Sequence, residues 1–224
     1  MIKSNKILTI GIFIVLVLSL SFFAGCTEQE KNTDTNNNPD SPTTGSVVAT
    51  VNGEEITSDE VTDFVQQQQG QISEENALEQ LIIQTLLSQK AAQNGYNLTD
   101  EEVETELQNQ LAGQNQTLQE YKQYLQQQGY TYEEILQNYK DQLTRQNYLD
   151  DAIENQDINV TDEEAESDLE ENLLQQNQTL QEYKQYLQQQ GYPYEQLLQN
   201  YKQQLKQQIF IQSLREQANI QYYD

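Results

Sequence analysis

The sequence contains no histidine and no tryptophan, and it has a single cysteine among 224 residues. Without histidine, the chain lacks the usual general base, the Ser-His and Cys-His nucleophile pairs and the ligand found in most zinc sites. A single cysteine allows neither a disulfide within the chain nor a thiolate metal site. The sequence therefore argues against an enzyme and against a metal ion, and it indicates no other cofactor.

Basic residues are also scarce, with 11 lysines and arginines against 36 acidic residues and a net charge of −25. Such a chain repels phosphate backbones, so nucleic acid is excluded as a partner. The charge is expected to form a solvated surface for the most part, and it would favour basic partners. No feature of the sequence points to a particular oligomeric state.

An apolar run near the start is typical of an export signal. It extends from Ile7 to Ala24, behind Lys3 and Lys6, and small residues follow it. A basic start, an apolar segment and small residues before a cleavage point define such signals. We predict that residues 1–26 are the signal, and the alternative is that the run stays in place as a transmembrane anchor.

Cys26 ends this segment, directly after Ala24 and Gly25. A cysteine in this position resembles a lipobox, in which the cysteine is lipidated and becomes the mature N-terminus. Phe23 differs from the aliphatic residue that is usual there. Because a lipid on Cys26 and an uncleaved helix would both anchor the chain, we predict a protein outside the cytoplasm, held to the outer face of the cell membrane.

The segment after the signal predicts a tether and then the first folded element. Residues 27–46 are polar and rich in Asn, Thr, Asp and Pro, which indicates a disordered tether. Val47–Val51 and Glu54–Ile56 flank Asn52-Gly53, and this dipeptide is favoured in type I′ turns. The pattern predicts a short β-hairpin.

The most apolar folded segment extends from Ala77 to Asn94. Apolar residues cover most of its helical circumference, which is typical of a buried helix. Asn94-Gly95 then supplies a stop signal. We predict that this segment is the central core helix.

A duplication fills much of the remaining chain. Gln114–Tyr130 recurs unchanged at Gln176–Tyr192, and 27 of 33 positions from Gln114 match those 62 further along. We call residues 97–149 copy 1 and residues 159–211 copy 2. Repeats of this length are usually one supersecondary unit that cannot bury its apolar face alone.

Threonine–glutamate pairs at S/T-x-x-E spacing predict capping boxes at six helix starts. The pairs are Thr57 with Glu60, Thr99 with Glu102, Thr117 with Glu120, Thr131 with Glu134, Thr161 with Glu164, and Thr179 with Glu182. Pro193 replaces the third threonine in copy 2, and proline suits the first turn of a helix.

These elements predict a mainly α fold with a small β-hairpin at its start and a duplicated helical hairpin. Asn219–Tyr223 is predicted to be a short strand that pairs with the N-terminal hairpin. The predicted regions are the signal 1–26, the tether 27–46, a helical domain 47–158 that includes copy 1, and a segment 159–224 that includes copy 2.

Four motifs in order carry a resemblance to a known family. They are Val48–Thr57, the helix end at Gln93–Tyr96, Leu98–Val103, and Gln128–Glu134. The order is similar to the N-terminal chaperone domain of SurA-like periplasmic folding factors and PrsA-like foldase lipoproteins, to which the trigger factor C-terminal domain looks related. The likeness covers about Val47 to Ile158, and it implies a SurA N-terminal-like helical domain.

The sequence departs from that family after Thr161–Glu164. In the foldases, the corresponding segment leads into a parvulin prolyl isomerase domain, whereas here it leads into copy 2. Isomerase activity is therefore not implied. The resemblance implies only ATP-independent binding of unfolded or newly exported polypeptides, at a groove lined by apolar and aromatic side chains.

Tyrosines are the candidate client contacts, because the chain has 14 of them and they offer amphipathic contact surface at low entropic cost. Tyrosines in the helical stripes are predicted to pack between helices: Tyr121, Tyr139, Tyr183 and Tyr201. Those nearer helix ends are the better candidates for exposed client-binding contacts: Tyr124, Tyr130, Tyr186 and Tyr192.

Two other functions fit the sequence less well. One is a surface interaction or structural lipoprotein that binds a dedicated partner, which would lack the exposed apolar groove that a chaperone needs. The other is carboxylate catalysis at acidic clusters such as Asp100–Glu102. Acidic residues in a first helical turn are explained by the helix dipole, so this reading is disfavoured.

Overall fold

A β-hairpin with an Asn-Gly turn lies near the start of the described residues. The computed structural model describes residues 45–156 and 158–223, and these belong to one structural unit. Strands β1 (Val47–Val51) and β2 (Glu54–Thr57) pair antiparallel. Asn52 has φ +53° and Gly53 has φ +91°, and a type I′ turn requires positive φ at both central positions. The predicted hairpin is confirmed.

The predicted signal, Cys26 and most of the predicted tether lie outside the described residues. The last two tether residues are described, and they contact the fold. Ser46 accepts a backbone hydrogen bond of 2.9 Å from Ser58. Gly45 lies so close to Ser58 and Asp59 that a Cβ there would meet their atoms at 2.6–2.8 Å. Gly45 and Ser46 therefore lie against the start of the first helix, at Ser58 and Asp59.

A third strand comes from the C-terminus. Strand β3 (Ile220–Tyr222) pairs antiparallel with β1, so the sheet order is β2-β1-β3. The backbone N–H of Asn52 donates to the carbonyl of Asn219 at 2.8 Å, and the N–H of Tyr223 donates to Val48 at 2.9 Å. The predicted pairing of the C-terminus with the N-terminal hairpin is confirmed.

Helices α1 (Ser58–Gln67) and α2 (Glu74–Gln93) cover the sheet. Helix α2 contacts the sheet, α1 and both copies, which confirms its predicted central position. It begins three residues before the predicted Ala77, because the Ser73 hydroxyl caps it by accepting from the N–H of Asn76. Sheet and helices share one core cluster: Ala49, Val51, Ile56, Val61, Ala77, Ile82 and Leu86.

Each copy folds into three helices. Copy 1 contains α3 (Asp100–Gly113), α4 (Leu118–Gln128) and the start of the long α5 (Tyr132–Asn155). Copy 2 contains α6 (Asp162–Gln175), α7 (Leu180–Gln190) and most of α8 (Tyr194–Gln217). All six predicted capping boxes are present. Pro193 occupies the N-cap of α8, one residue before the predicted first turn, and makes no side-chain cap.

The helices of each copy are joined by an equivalent ion pair. Lys140 on α5 lies 2.8 Å from Asp100 on α3, and Lys202 on α8 lies 2.7 Å from Asp162 on α6. Each acid is in the first turn of its helix, where the helix dipole also favours a negative charge. The pairs connect the first and third helices, which contact each other in both copies.

The second halves of α5 and α8 join the copies to the core. Phe210 on α8 is fully buried, and its ring centroid lies 6.0 Å from that of Tyr148 on α5. Tyr96, just after α2, meets Tyr148 edge-on at 5.4 Å. The fold is therefore mainly helical with a small sheet, as predicted. Across residues 45–156 and 158–223, no helix is both long enough and apolar enough to cross a membrane.

Candidate functional site

The turn after the second helix of each copy has a fixed backbone. Gly129 (φ +83°) ends α4, its N–H donates to Gln126 at 3.2 Å, and the N–H of Tyr130 donates to Leu125 at 3.0 Å. This pair of bonds is the Schellman motif, which places glycine in the left-handed region because other residues are strained there. Copy 2 repeats both bonds at the same lengths, with Gly191 at φ +76°.

The tyrosine that follows each glycine has an exposed side chain. Tyr130 is 59% exposed and Tyr192 is 66% exposed. In many Schellman motifs, the residue at this position packs back onto its own helix. Here most of each tyrosine is exposed instead, and two hydrogen bonds hold the backbone of its turn. Such a side chain can contact another molecule with little further loss of conformational freedom.

The other two predicted contact residues differ between the copies. Tyr186 on α7 is 53% exposed, whereas Tyr124, at the equivalent position on α4, is half-buried. Burial raises the pKa of Tyr121, and the nearby Tyr124 raises it further. The surroundings of the two helices therefore differ although their sequences are identical.

The predicted sites of the two copies lie on different helix sets. The main contacts of α4 are with α3 and α5, and those of α7 are with α6 and α8. Tyr124 and Tyr130 thus lie on α4 and the turn after it in copy 1. Tyr186 and Tyr192 lie on α7 and the turn after it in copy 2. The fold forms two candidate sites.

The stripe tyrosines are half-buried, in keeping with their predicted packing role: Tyr121, Tyr139, Tyr183 and Tyr201. In copy 2, Tyr201 donates to Asp168 at 2.6 Å and accepts from Asn172 at 2.7 Å. Burial, and then the bond to Asp168, raises the pKa of Tyr201. This hydroxyl therefore stays protonated and joins α6 to α8.

A lysine stacks on a tyrosine ring between the second and third helices of each copy. Lys122 Nζ lies 3.8 Å from the centroid of Tyr132, and Lys184 Nζ lies 4.1 Å from that of Tyr194. Burial raises the pKa of Tyr132 to about 12. These cation–π contacts hold the helices on either side of the exposed turn.

Copy 2 adds a carboxylate to this contact. Glu166 accepts from Lys184 and from the Tyr194 hydroxyl, both at 2.9 Å. The bond from Lys184 is the main reason that the pKa of Glu166 lies below its usual value. Neither lysine was predicted to have a role, although Lys122 and Tyr132 recur 62 residues later as Lys184 and Tyr194, which was a usable signal.

A shallow groove runs along α4. It is lined by one apolar residue, one lysine and three glutamines: Leu118, Lys122, Gln119, Gln123 and Gln126. The resemblance to the SurA-like domains implied an apolar and aromatic lining. Three of the five residues that line this groove are instead glutamines, because five of the eleven residues of α4 are glutamine.

Exposed apolar side chains also occur where none was predicted. Leu174 is 57% exposed and follows the buried Leu173, and Ile209 is 48% exposed and precedes the buried Phe210. Successive helical residues point about 100° apart, so the neighbour of a buried residue can face solvent. The sequence does not show which pairs do so, because adjacent pairs such as Ile82 and Ile83 are both buried.

The described surface is strongly acidic. Residues 45–156 and 158–223 contain 30 acidic and 8 basic side chains. Four of the basic groups pair with acids: Lys140, Lys184, Lys202 and Arg215. Within the same residues, no cluster of three or more His, Cys, Asp or Glu side chains could hold a metal ion.

The family comparison agrees with the helical order described above. A family model described as the SurA-like N-terminal domain matches residues 1–149. The chain belongs to this family. The match ends at Leu149, the last residue of copy 1, and no catalytic domain is detected.

Solved structures show the same fold. One comes from work titled as describing the virulence factor PEB4 and the periplasmic protein Cj1289 of Campylobacter jejuni as structurally related SurA-like chaperones. It is 18% identical, with a TM-score of 0.55, and the match covers 79% of this chain and 98% of that one. Among curated protein sequences, none matches the chain.

Proposed function

We propose that this protein is a membrane-tethered chaperone that binds unfolded or newly exported polypeptides outside the cytoplasm without ATP. The observation that carries the proposal is the pair of exposed tyrosines, Tyr130 and Tyr192, on turns with ordered backbones. Membership of the SurA-like N-terminal domain family supports it. So does the shared fold with a structure from work on SurA-like chaperones.

The chemistry of the two turns suits clients of varied sequence. A tyrosine ring offers a large apolar face and a hydroxyl, so it can pack on apolar side chains and still bond to a backbone. The glutamines beside it on α4 and α7 can donate and accept hydrogen bonds with any exposed peptide group. Such a surface binds unfolded segments without reading one particular sequence.

We further propose that Tyr124 and Tyr186 extend these contact surfaces along α4 and α7. Tyr186 is already exposed, and Tyr124 is half-buried. Copy 2 is therefore expected to present the larger aromatic surface of the two.

The proposed function is binding alone, without isomerase activity. The family match stops at Leu149, and the chain beyond it is mostly copy 2. Copy 2 repeats the helical hairpin where related foldases carry a parvulin domain.

The proposed location rests on the N-terminal sequence. The apolar run and the cysteine after Ala24-Gly25 support export and lipidation at Cys26. Cj1289, one of the two proteins in the work on the similar structure, is described there as periplasmic, which is consistent with a place outside the cytoplasm. A tether of residues 27–46 would then separate the helical part from the membrane.

Light scattering tests the proposal. A chemically denatured client is diluted without ATP in the presence of residues 27–224, as wild type or with Tyr130→Ser and Tyr192→Ser together. We expect the wild type to suppress aggregation near equimolar ratios and the double variant to lose most of that effect. Because both rings are exposed, the thermal midpoint of the variant should stay close to that of the wild type.

A matched control separates the turns from exposed tyrosine in general. Tyr223 lies outside both copies and is also exposed, and Tyr223→Ser should suppress aggregation as well as the wild type. If the wild type fails with several unrelated clients, general chaperoning is wrong, and a lipoprotein with one dedicated partner becomes the better account.

A further inference from the structure

We propose that the two copies form a pair of equivalent sites that hold one unfolded, positively charged polypeptide at two points. This inference rests on the proposed binding function and adds the class of client and the mode of attachment.

The equivalence of the two sites follows from sequence and geometry. Gln114–Tyr130 and Gln176–Tyr192 are identical in sequence. Helices α4 and α7 have the same length, the same threonine caps and the same glycine-ended turns. Both turns present an exposed tyrosine. A client segment that binds one turn therefore finds the same glycine-ended turn and exposed tyrosine at the other, although the neighbouring Tyr186 is exposed and Tyr124 is half-buried.

The two sites are separate but share one frame. Helices α4 and α7 make their main contacts within their own copies, so occupation of one turn leaves the other free. The third helices, α5 and α8, both pack on α2 and on each other. The spacing between the turns is therefore set by the core rather than by a flexible linker.

A fixed pair of like sites changes how a long chain binds. Once one segment is bound, the second attachment is intramolecular and depends on effective concentration. Linking of this kind raises overall affinity by about 10² to 10⁴ when the linker can span the sites. A short peptide with a single segment gains nothing from the second site except a doubled number of places to bind.

The charge of the client follows from the surface around the turns. An exposed glutamate lies three residues after each exposed tyrosine, Glu133 after Tyr130 and Glu195 after Tyr192. Exposed tyrosine faces also attract lysine and arginine side chains. With 30 acidic against 8 basic side chains in the described part, the surface attracts cationic segments and repels anionic ones.

Fluorescence anisotropy tests the proposal with defined peptides. The probes are a disordered segment containing lysine, leucine and tyrosine, a tandem of two such segments with Gly-Ser linkers of increasing length, and versions with glutamate in place of lysine. The full-length protein is held in nanodiscs of zwitterionic lipid, and empty nanodiscs correct for binding to lipid.

We expect the tandem at its best linker length to bind at least tenfold more tightly than the single segment. Either Tyr130→Ser or Tyr192→Ser should remove that gain, while weakening the single segment only about twofold because one intact site remains. Calorimetry on the wild type should find two single segments per chain but one tandem. The glutamate peptides should not bind measurably.

Equal affinity of tandem and single peptides at every linker length would overturn the proposal, and so would equal binding of lysine and glutamate peptides. If single peptides bind and aggregation is suppressed without a tandem gain, only this inference fails. If no peptide binds and aggregation proceeds unchanged, the proposed chaperone function fails with it. The stoichiometry is measured by calorimetry on the wild type, so the proposal can still be tested if a variant misfolds.

Discussion

At the scale of single residues, helix starts in this protein depend on threonine–glutamate pairs. Six of the eight described helices begin with a capping box. In four of them, hydrogen bonds from the threonine backbone and hydroxyl hold the pKa of the glutamate below its usual value: Glu102, Glu120, Glu164 and Glu182. Their carboxylates are thus better stabilised in the folded chain than in the unfolded one.

Acid should therefore weaken these caps. A folded-state pKa below the unfolded value gives a stabilisation that is present above the unfolded pKa and is lost as the pH falls through the folded one. Glutamine keeps the accepting oxygen but does not titrate. We expect a variant with all four glutamates replaced by glutamine to lose less stability than the wild type between about pH 5 and pH 3.

Urea unfolding at both pH values measures this difference. Acid also neutralises the surplus of negative charge, which changes the stability of both proteins, so only the difference between them reports on the caps. Parallel changes in the wild type and the variant would contradict a role for the four carboxylates.

Residue-level prediction from sequence succeeded where a contact is local. Each capping box lies within four consecutive residues, so its spacing is visible in the sequence. Ser73 was missed because its N3 residue is Asn76, which does not complete a box. The bonds of Tyr201 to Asp168 and Asn172 join residues about 30 positions apart. Only the folded chain shows which carboxylate meets which hydroxyl.

At the scale of elements, α8 packs against different partners along its length. Its first half contacts α6 through Leu198 and Tyr201, and its second half reaches α2 and α5. Phe210 is fully buried in that second half, whereas its neighbour Ile209 is 48% exposed. The two residues are adjacent and both apolar, and they give a matched test of the junction.

Phe210→Ala should lower the free energy of unfolding by about 3–5 kcal/mol, as large-to-small changes of buried aromatic residues do. Ile209→Ala should have a much smaller effect, of about 0.5 kcal/mol, because about half of Ile209 is in solvent. Denaturant unfolding followed by circular dichroism measures both. Similar losses for the two variants would show that the junction is not packed as described.

Helical periodicity predicted nearly every helix but not the elements against which each helix packs. The stripe of Tyr194, Leu198, Tyr201 and Leu205 indicates which face of α8 is buried. It does not indicate that the following turns of α8 pack on α2 instead of α6, because a 3.6-residue period carries no information about the surface that a helix packs against. Likewise, the identical sequences of α4 and α7 gave no reason for Tyr124 and Tyr186 to differ in exposure.

At the scale of the whole molecule, the C-terminal segment closes the sheet. Arg215 forms an ion pair with Glu79 on α2 at 2.6 Å, and Tyr222 on β3 donates to Glu79 at 2.9 Å. Ala218 and Ile220 pack against the core cluster of sheet and helices. The end of the chain is thus attached by backbone bonds, an ion pair and apolar contacts together.

Truncation after Gln217 should destabilise the protein by roughly 2–4 kcal/mol, since each lost backbone hydrogen bond contributes about 1 kcal/mol and apolar contacts are lost as well. Gln221→Ala keeps the strand and removes only an exposed side chain, so it should be nearly neutral. Thermal unfolding of both compares the effects. An unchanged midpoint after truncation would show that β3 contributes nothing to stability.

The sequence predicted this closure from a short β-like pattern at Asn219–Tyr223, and the pairing with β1 confirms it. The division into regions 47–158 and 159–224 stays a prediction. The contact tyrosines could be proposed because they lie nearer helix ends, where a side chain has fewer neighbours. Their roles in binding depend on a partner, which the sequence of this chain does not describe.

The pairing of β3 with β1 also affects how the protein folds. Asn219 donates to Asn52, a residue 167 positions earlier. The helices form from contacts close in sequence, while the sheet requires the ends of the folded region to meet, at a cost in loop-closure entropy. Contacts of high contact order form slowly. Since β3 is synthesised after both copies, the two copies are expected to become helical first, and the meeting of β3 with β1 is expected to set the folding rate.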